Sequence, residues 1–298
     1  MLASSHERLD GPALLAIAVA LLTWSSAYAG IAWALPAFTP GEVAFARLAI
    51  GSLCFALLLA VRRQRLPPWR EWPALAALGI VGLTVYHLCL NYAETRIASG
   101  TASILIALSP AATAAVSARW LGERLGARMI AGLLIALAGV VLVVLASGGR
   151  MRIDPWAALV LVSVAASALM FTGLKPYFRR HGAVGVTALT FFAATLGAAP
   201  FAWGLPHALA SAAWSRIAAL LYLGVAPTFC GYIAWNLALK RAPVGQVTSF
   251  IYFSPPIAVL IGWLWLGERL TSLTLLGGAV VVLGVVIANA RRRVPARA

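Results

Sequence analysis

Ten stretches of about 20 apolar residues, separated by short connectors, run from residue 12 to residue 290 of this 298-residue chain. They fall at 12–34, 41–61, 73–93, 98–118, 126–146, 155–175, 184–204, 214–238, 244–266 and 272–290. A helix of that length crosses the hydrocarbon core of a bilayer. Composition agrees: 62% of residues are hydrophobic and 10% charged, whereas soluble domains carry about 25% charged residues. The sequence therefore predicts an all-α integral membrane protein with ten transmembrane helices and no room between them for a soluble domain. The A-x-A-like step in "SSAYAG" (Ser25–Gly30) reads as part of the first span rather than a leader cleavage site. Glu7 and Asp10 leave the preceding segment only weakly basic, and the apolar run continues through Leu35.

A net charge of +15 on a soluble protein would point to nucleic acid. Here the cations sit between the apolar runs, and no nucleic-acid partner is expected. With the N-terminus inside, 17 Lys and Arg fall on inner segments and 5 on outer ones, with Arg47 inside a span. That bias places both termini in the cytoplasm. Cys54, Cys89 and Cys230 all lie within apolar runs without metal-ligand spacing, and read as small buried hydrophobes.

The pentapeptide LGERL occurs at Leu121–Leu125 and again at Leu266–Leu270. Shifted by 145 residues, 91–144 aligns with 236–289 without a gap, and 17 of 54 positions are identical. Among them are Asn91/Asn236, Ser109-Pro110/Ser254-Pro255, Gly132/Gly277 and Gly139/Gly284. Apolar composition can align leucine with leucine, but not these polar, glycine and proline positions. Earlier parts match at an offset near 141, with Gly41 over Gly182 and Ser26 over Ser167. The chain thus divides into two five-helix repeats, 1–146 and 155–290, followed by a basic cytoplasmic tail at 291–298. Because five is odd, the second repeat enters the membrane from the opposite side. Inverted repeats are an architecture of secondary transporters, with substrate held near the midplane between the halves.

Three segments, "TWSSAYAGIAWAL", "ASGTASILIALSPAATAAVSARWLGERL" and "APVGQVTSFIYFSPPIAVLIGWLWLGERL", together with Arg47, resemble the drug/metabolite transporter superfamily, EamA type, over nearly the whole chain. The resemblance implies a ten-helix carrier of the bacterial-type inner membrane, multi-pass, with both termini inside. It implies an exporter of amino acids or related small metabolites working by alternating access, with the aromatic amino acid exporters among the nearer kinds. Other branches carry drugs, sugars or nucleotide sugars, so these remain the alternative within carriers.

The residues themselves narrow the chemistry. All eight Asp and Glu lie at or beyond span ends. That argues against a mid-membrane carboxylate relay, and it leaves an integral-membrane enzyme without a catalytic group. No metal or cofactor is expected. What the spans offer is neutral polarity and aromatic surface, which suits a small neutral or zwitterionic solute with an apolar side chain. Polar groups in a span face the bundle or a watery path. On that basis the substrate pathway is assigned to Trp24, Ser26, Tyr86, His87, Asn91, Ser109, Tyr232, Trp235, Asn236, Tyr252 and Ser254. Two readings stay open for several of them. His87 is either a satisfied core histidine or a cavity residue, Asn91 and Asn236 are either interhelical glue or substrate ligands, and Arg47 needs a partner, a carbonyl or Glu42, as a structural anchor.

Pro110, Pro255 and Pro256 sit in repeat-equivalent spans. Each removes a backbone donor and bends its helix, so they are expected as hinges beside the path or as static kinks. The glycines at Gly132, Gly139, Gly277 and Gly284 make spans five and ten packing helices, at an intrachain or dimer contact. The expected state is a monomer or homodimer, with a small-molecule substrate and the lipid bilayer as partners. In LGERL, Gly122 and Gly267 end one helix, while Glu123 and Glu268 stand near the positive end of the next as structural charges.

Overall fold

The computed structural model describes residues 10–121, 127–146, 155–241, 250–267 and 271–289. Within them the chain is helical and contains no strand. We label the helices in chain order: α1 (Gly11–Ala34), α2 (Pro40–Arg62), α3 (Trp72–Gly79, Ile80–Val85 and Tyr86–Ala93), α4 (Ser99–Ile106 and Ser109–Leu121) and α5 (Ala127–Ala146). There follow α6 (Pro155–His181), α7 (Ala183–Ala198), α8 (Trp214–Leu223, Gly224–Cys230 and Gly231–Arg241), α9 (Phe250–Phe253, Ser254–Ile261 and Gly262–Leu266) and α10 (Ser272–Asn289). Seven helical stretches are long and apolar enough to cross a membrane. They lie in α1, α2, α3, α4, α6, α7 and α8. Three shorter apolar stretches, Ile130–Gly139, Phe250–Leu266 and Leu275–Gly284, fall within the fifth, ninth and tenth predicted spans.

Local chemistry sets the helix ends. Asp10 accepts from the Ala13 N–H at 2.8 Å and starts α1. Thr39 and Glu42 close a capping box at the start of α2. Gly267, at φ +67°, ends α9 in the left-handed conformation that glycine adopts without steric cost. The other LGERL residues of interest, Gly122, Glu123 and Glu268, lie outside the described residues, as does the tail at 291–298. Outward faces carry exposed leucines such as Leu15, Leu53, Leu57 and Leu134, and the exposed tryptophans Trp69, Trp203 and Trp214 stand near helix ends. Both are features of a lipid-facing surface with interfacial aromatics.

The glycine stripes of α5 and α10 face one another. A Cβ on Gly139 would stand 2.6 Å from the Val281 nitrogen and 2.7 Å from the Gly277 carbonyl oxygen. Gly284 meets the backbone of Ala136 and Gly132 in the same way. As α5 ascends from Gly132 to Gly139, its partners descend from Gly284 to Gly277, so the helices run antiparallel with their backbones touching. The stripe that a dimer contact could have used is therefore consumed inside the chain. The remaining core lies between α2, α3, α6 and α7, around Phe55, Leu75, Leu83, Met170 and Phe191, and between α1, α2, α4 and α8, around Ile31, Phe38 and Leu223.

The Ser-Pro motifs do not kink continuous helices as expected. The helix stops at Ile106, turns through Ala107 and Leu108, and restarts at Ser109, so Pro110 sits in the first turn of a new segment. In α9 a 3₁₀ turn at Phe250–Phe253 precedes a helix that begins at Ser254, with proline again in its first turn. The first turn has no intrahelical use for the missing N–H, which is why proline is accommodated there. The side chain of Pro256 is outside the described residues.

Each break is held by a serine pair. Ser25 and Ser254 hydroxyls lie 2.9 Å apart, buried, and Ser167 donates to Ser109 at 3.4 Å. Both pairs join the Ser-Pro helix of one repeat to the first helix of the other. A double-mutant cycle on unfolding in detergent, using Ser25→Ala and Ser254→Ala, should return a coupling of about 0.6 kcal/mol. The longer Ser109–Ser167 pair should return less, and zero coupling for both would show that the pairs do not hold the breaks.

Candidate functional site

Two helices unwind at repeat-equivalent places. α3 is π-helical over Ile80–Val85 and α8 over Gly224–Cys230. The 145-residue offset carries Ile80–Val85 onto Val225–Cys230. In α8 the cause is Pro227, which has no N–H to offer the Leu223 carbonyl. The Thr228 hydroxyl donates to that carbonyl instead, at 2.7 Å. In α3 the His87 Nδ1 lies 2.6 Å from the Leu83 carbonyl. Since a carbonyl only accepts, Nδ1 is the donor in this bond. Single π turns of this kind recur at functional sites.

Aromatic rings gather where α8 resumes. Trp24 packs edge-on against Tyr232 at 5.5 Å and tilted against Trp235 at 5.1 Å, and its indole N–H donates to the Pro227 carbonyl at 3.0 Å. Phe191 meets Tyr232 edge-on at 5.1 Å and stacks on Phe55 at 5.1 Å. Beside them lies a cavity of about 30 Å³, lined by Leu83, Met170, Phe171, Leu174, Phe178, Thr187, Thr190, Phe191, Tyr232 and Trp235. That volume holds two or three waters, at about 10–15 Å³ each, so a solute the size of an amino acid fits only when the helices part.

The charged member of the neighbourhood is Arg47, 5% exposed, in α2. Its Nε donates to the Thr228 hydroxyl at 3.2 Å. The partner is thus a side chain of the other repeat, not a carbonyl or Glu42. The Glu42 carboxylate accepts from the Thr39 N–H at 2.8 Å in the capping box. Glu94 and the phenols of Tyr28, Tyr86 and Tyr232 lie within electrostatic reach of Arg47, as does His87. The Tyr86 and His87 rings pack edge-on at 4.9 Å.

Other sequence-assigned residues sit elsewhere. Ser26 pairs with the Tyr222 hydroxyl at 2.5 Å. Asn91 is fully buried and donates to the Pro40 carbonyl at 3.0 Å, tying α3 to the start of α2. Tyr252 packs in a core cluster with Ile104, Val259 and Val281. Ser109 and Ser254 serve the serine pairs. The Asn236 side chain lies outside the described residues. The pathway assigned from sequence does not include Thr228, Glu94 or the α6 and α7 phenylalanines. Thr228 had a signal, a hydroxyl next to a mid-span proline. Phe171, Phe178 and Phe191 had none, because phenylalanine in an apolar run looks the same in a core and in a cavity wall.

The site has two ends. One helical turn beyond Phe178 and Thr187, a wider pocket of about 320 Å³ is lined by Gln64, Arg65, His181, Gly182, Ala183, Val184 and Gly185. At its rim the Glu71 carboxylate lies 2.6 Å from His181 Nε2 and 3.5 Å from Arg180 Nη1. At the opposite end of α2, the Arg216 guanidinium lies 4.3 Å over the Trp33 ring and donates to the Trp33 carbonyl. Among the described residues no group of three His, Cys, Asp or Glu could hold a metal.

The EamA-like transporter family matches the chain twice, over residues 11–145 and 154–290. A relative from Streptantibioticus cattleyicolor, named as a probable terminal-alkyne amino-acid exporter, is 31% identical over 279 residues, 94% of each chain. The uncharacterized transporter YdfC of Bacillus subtilis is 31% identical over 262 residues, covering 88% of this chain and 86% of that one. A solved crystal structure matches with a TM-score of 0.66 at 23% identity, over 94% of this chain and 99% of that chain, which is a likeness of fold alone.

Proposed function

The chain belongs to the EamA-like transporter family, a multi-pass membrane protein, and from that premise we propose that it is a secondary carrier exporting amino acids or related small metabolites across the inner membrane by alternating access. The observation that carries this reading is a buried cation, Arg47, within electrostatic reach of Tyr232 in the wall of an aromatic-lined cavity. A zwitterion with an apolar side chain needs both. A lining rich in carboxylates would suit cationic drugs, and a large basic one would suit phosphorylated sugars. The described cavity wall is neither: its polar members are Thr187, Thr190 and Tyr232.

In this reading the ten helices form two inverted halves. Support comes from the double family match, the antiparallel α5–α10 pair, and the equivalent π turns in α3 and α8. The polar pocket at Gln64 and His181 is then a cytoplasmic vestibule, and the Arg216–Trp33 contact closes the outer end. The relative named as a probable terminal-alkyne amino-acid exporter supports the choice of cargo and direction. Two halves of similar structure in opposite orientation exchange between inward-open and outward-open states of similar energy.

The test is purified protein in liposomes, challenged with labelled L-phenylalanine, L-leucine, glucose and a cationic dye, with and without a pH gradient. Amino-acid flux well above that of empty liposomes is expected. Robust flux of the sugar or the dye, with none of either amino acid, would sink the reading.

A further inference from the structure

Arg47 is a buried cation that only one of the two repeats carries. The 141-residue offset between the earlier parts of the repeats places it over Ala188, which is buried with 0% exposure in α7. One half of the molecule therefore builds the same position from a methyl group. A charge inside a membrane protein is expensive unless it is paired. Among the described residues Arg47 has no carboxylate within ion-pair distance, and its hydrogen bond is from Nε to the neutral Thr228 hydroxyl. The terminal nitrogens Nη1 and Nη2 make no hydrogen bond among the described residues. An arginine tethered through Nε keeps its end-on edge, two parallel N–H groups, which matches the two oxygens of a carboxylate.

The surroundings add hydroxyl donors and a place for a side chain. Tyr86, Tyr232, Tyr28 and the buried Glu94 lie within electrostatic reach of the guanidinium, and Tyr232 also forms part of the aromatic cavity wall. A molecule spanning from Arg47 past Tyr232 would lay a carboxylate on the arginine and an apolar group among Phe191 and Trp235. Resting on the carrier reading above, we propose that Arg47 binds the carboxylate of the cargo, and that a carboxylate is the chemical group the carrier demands.

The experiment uses the full-length protein in liposomes and three probes of one shape: L-phenylalanine, 3-phenylpropionate, which keeps the carboxylate and lacks the amine, and phenethylamine, which keeps the amine and lacks the carboxylate. L-phenylalanine is expected to move and phenethylamine is not. Arg47→Gln should raise the KM for L-phenylalanine about tenfold or more, the scale of a lost charge-assisted hydrogen bond. Arg47→Lys should retain part of the affinity, and Thr228→Val, which leaves the charge but removes its tether, should fall between. Melting temperatures in detergent establish that each variant is folded, and the wild-type preference among the three probes stands independently of any variant. An unchanged KM in Arg47→Gln, or phenethylamine flux equal to that of L-phenylalanine, overturns the anchor. Flux of 3-phenylpropionate without L-phenylalanine keeps the anchor and overturns the amino-acid reading. Flux of neither carboxylate overturns the anchor.

Discussion

Pro227→Ala is expected to remove most transport while leaving the protein at least as stable as wild type. Proline inside a helix costs about 3 kcal/mol relative to alanine, and here it underlies the π turn at Gly224–Cys230. Alanine restores the N–H that the Leu223 carbonyl lacks, so the segment can return to ordinary α-helix. A π turn is one residue wider than an α turn. Losing it rotates everything beyond by about 100° relative to everything before. Thr228, Tyr232 and Trp235 would then leave Arg47, Trp24 and the cavity. Transport should drop by at least about tenfold, since small misplacements already cost that much in ordered sites. The melting temperature in detergent should hold or rise, as when a strained functional feature is relaxed. Wild-type transport in this variant would show that the π turn does not place the site.

Gly139→Leu should have the largest effect on stability. Its Cβ would stand 2.6 Å and 2.7 Å from backbone atoms of α10, and backbone cannot rotate away as a side chain can. The two helices must separate along their length, and the loss of packing should exceed about 3 kcal/mol. Gly284→Leu strikes the reciprocal contact and should do the same. Leu134→Ala, on the exposed face of α5, is the control and should change stability by less than about 0.5 kcal/mol. The measurement is melting temperature with size-exclusion profile in detergent. A monodisperse Gly139→Leu protein melting with wild type would mean that α5 and α10 are not in contact.

How far the site could be read in advance depended on what kind of signal each residue carried. Trp24, Tyr232 and Trp235 were assigned to the pathway because large amphipathic rings in mid-span are uncommon, and they do meet at one place. His87 fell between the two readings held open for it: buried, with Nδ1 on the Leu83 carbonyl, yet within electrostatic reach of Arg47. Asn91 joins α3 to the start of α2 through its bond to Pro40. Arg47 was legible as an anomaly, but its partner was not. Thr228 is 181 residues away, and no local pattern links them. The same distance hid the serine pairs, which join residues 229 and 58 apart.

By itself the sequence determined the solvent, the helical class and the duplication. These follow from the length of apolar runs, the scarcity of charge within them and the matching of LGERL, Ser-Pro and glycine positions, all of which are local or periodic properties. Only the tertiary structure decided which polar groups converge. Helices α1, α2, α3 and α8 are brought together by packing, and the π turns at Ile80–Val85 and Gly224–Cys230 set which faces they show to one another. A rotation of one residue's worth in a helix leaves composition and periodicity unchanged but moves every side chain beyond it to a different neighbour. That is why the chain announces a membrane transporter in one dimension and joins Arg47 to Thr228 only in three.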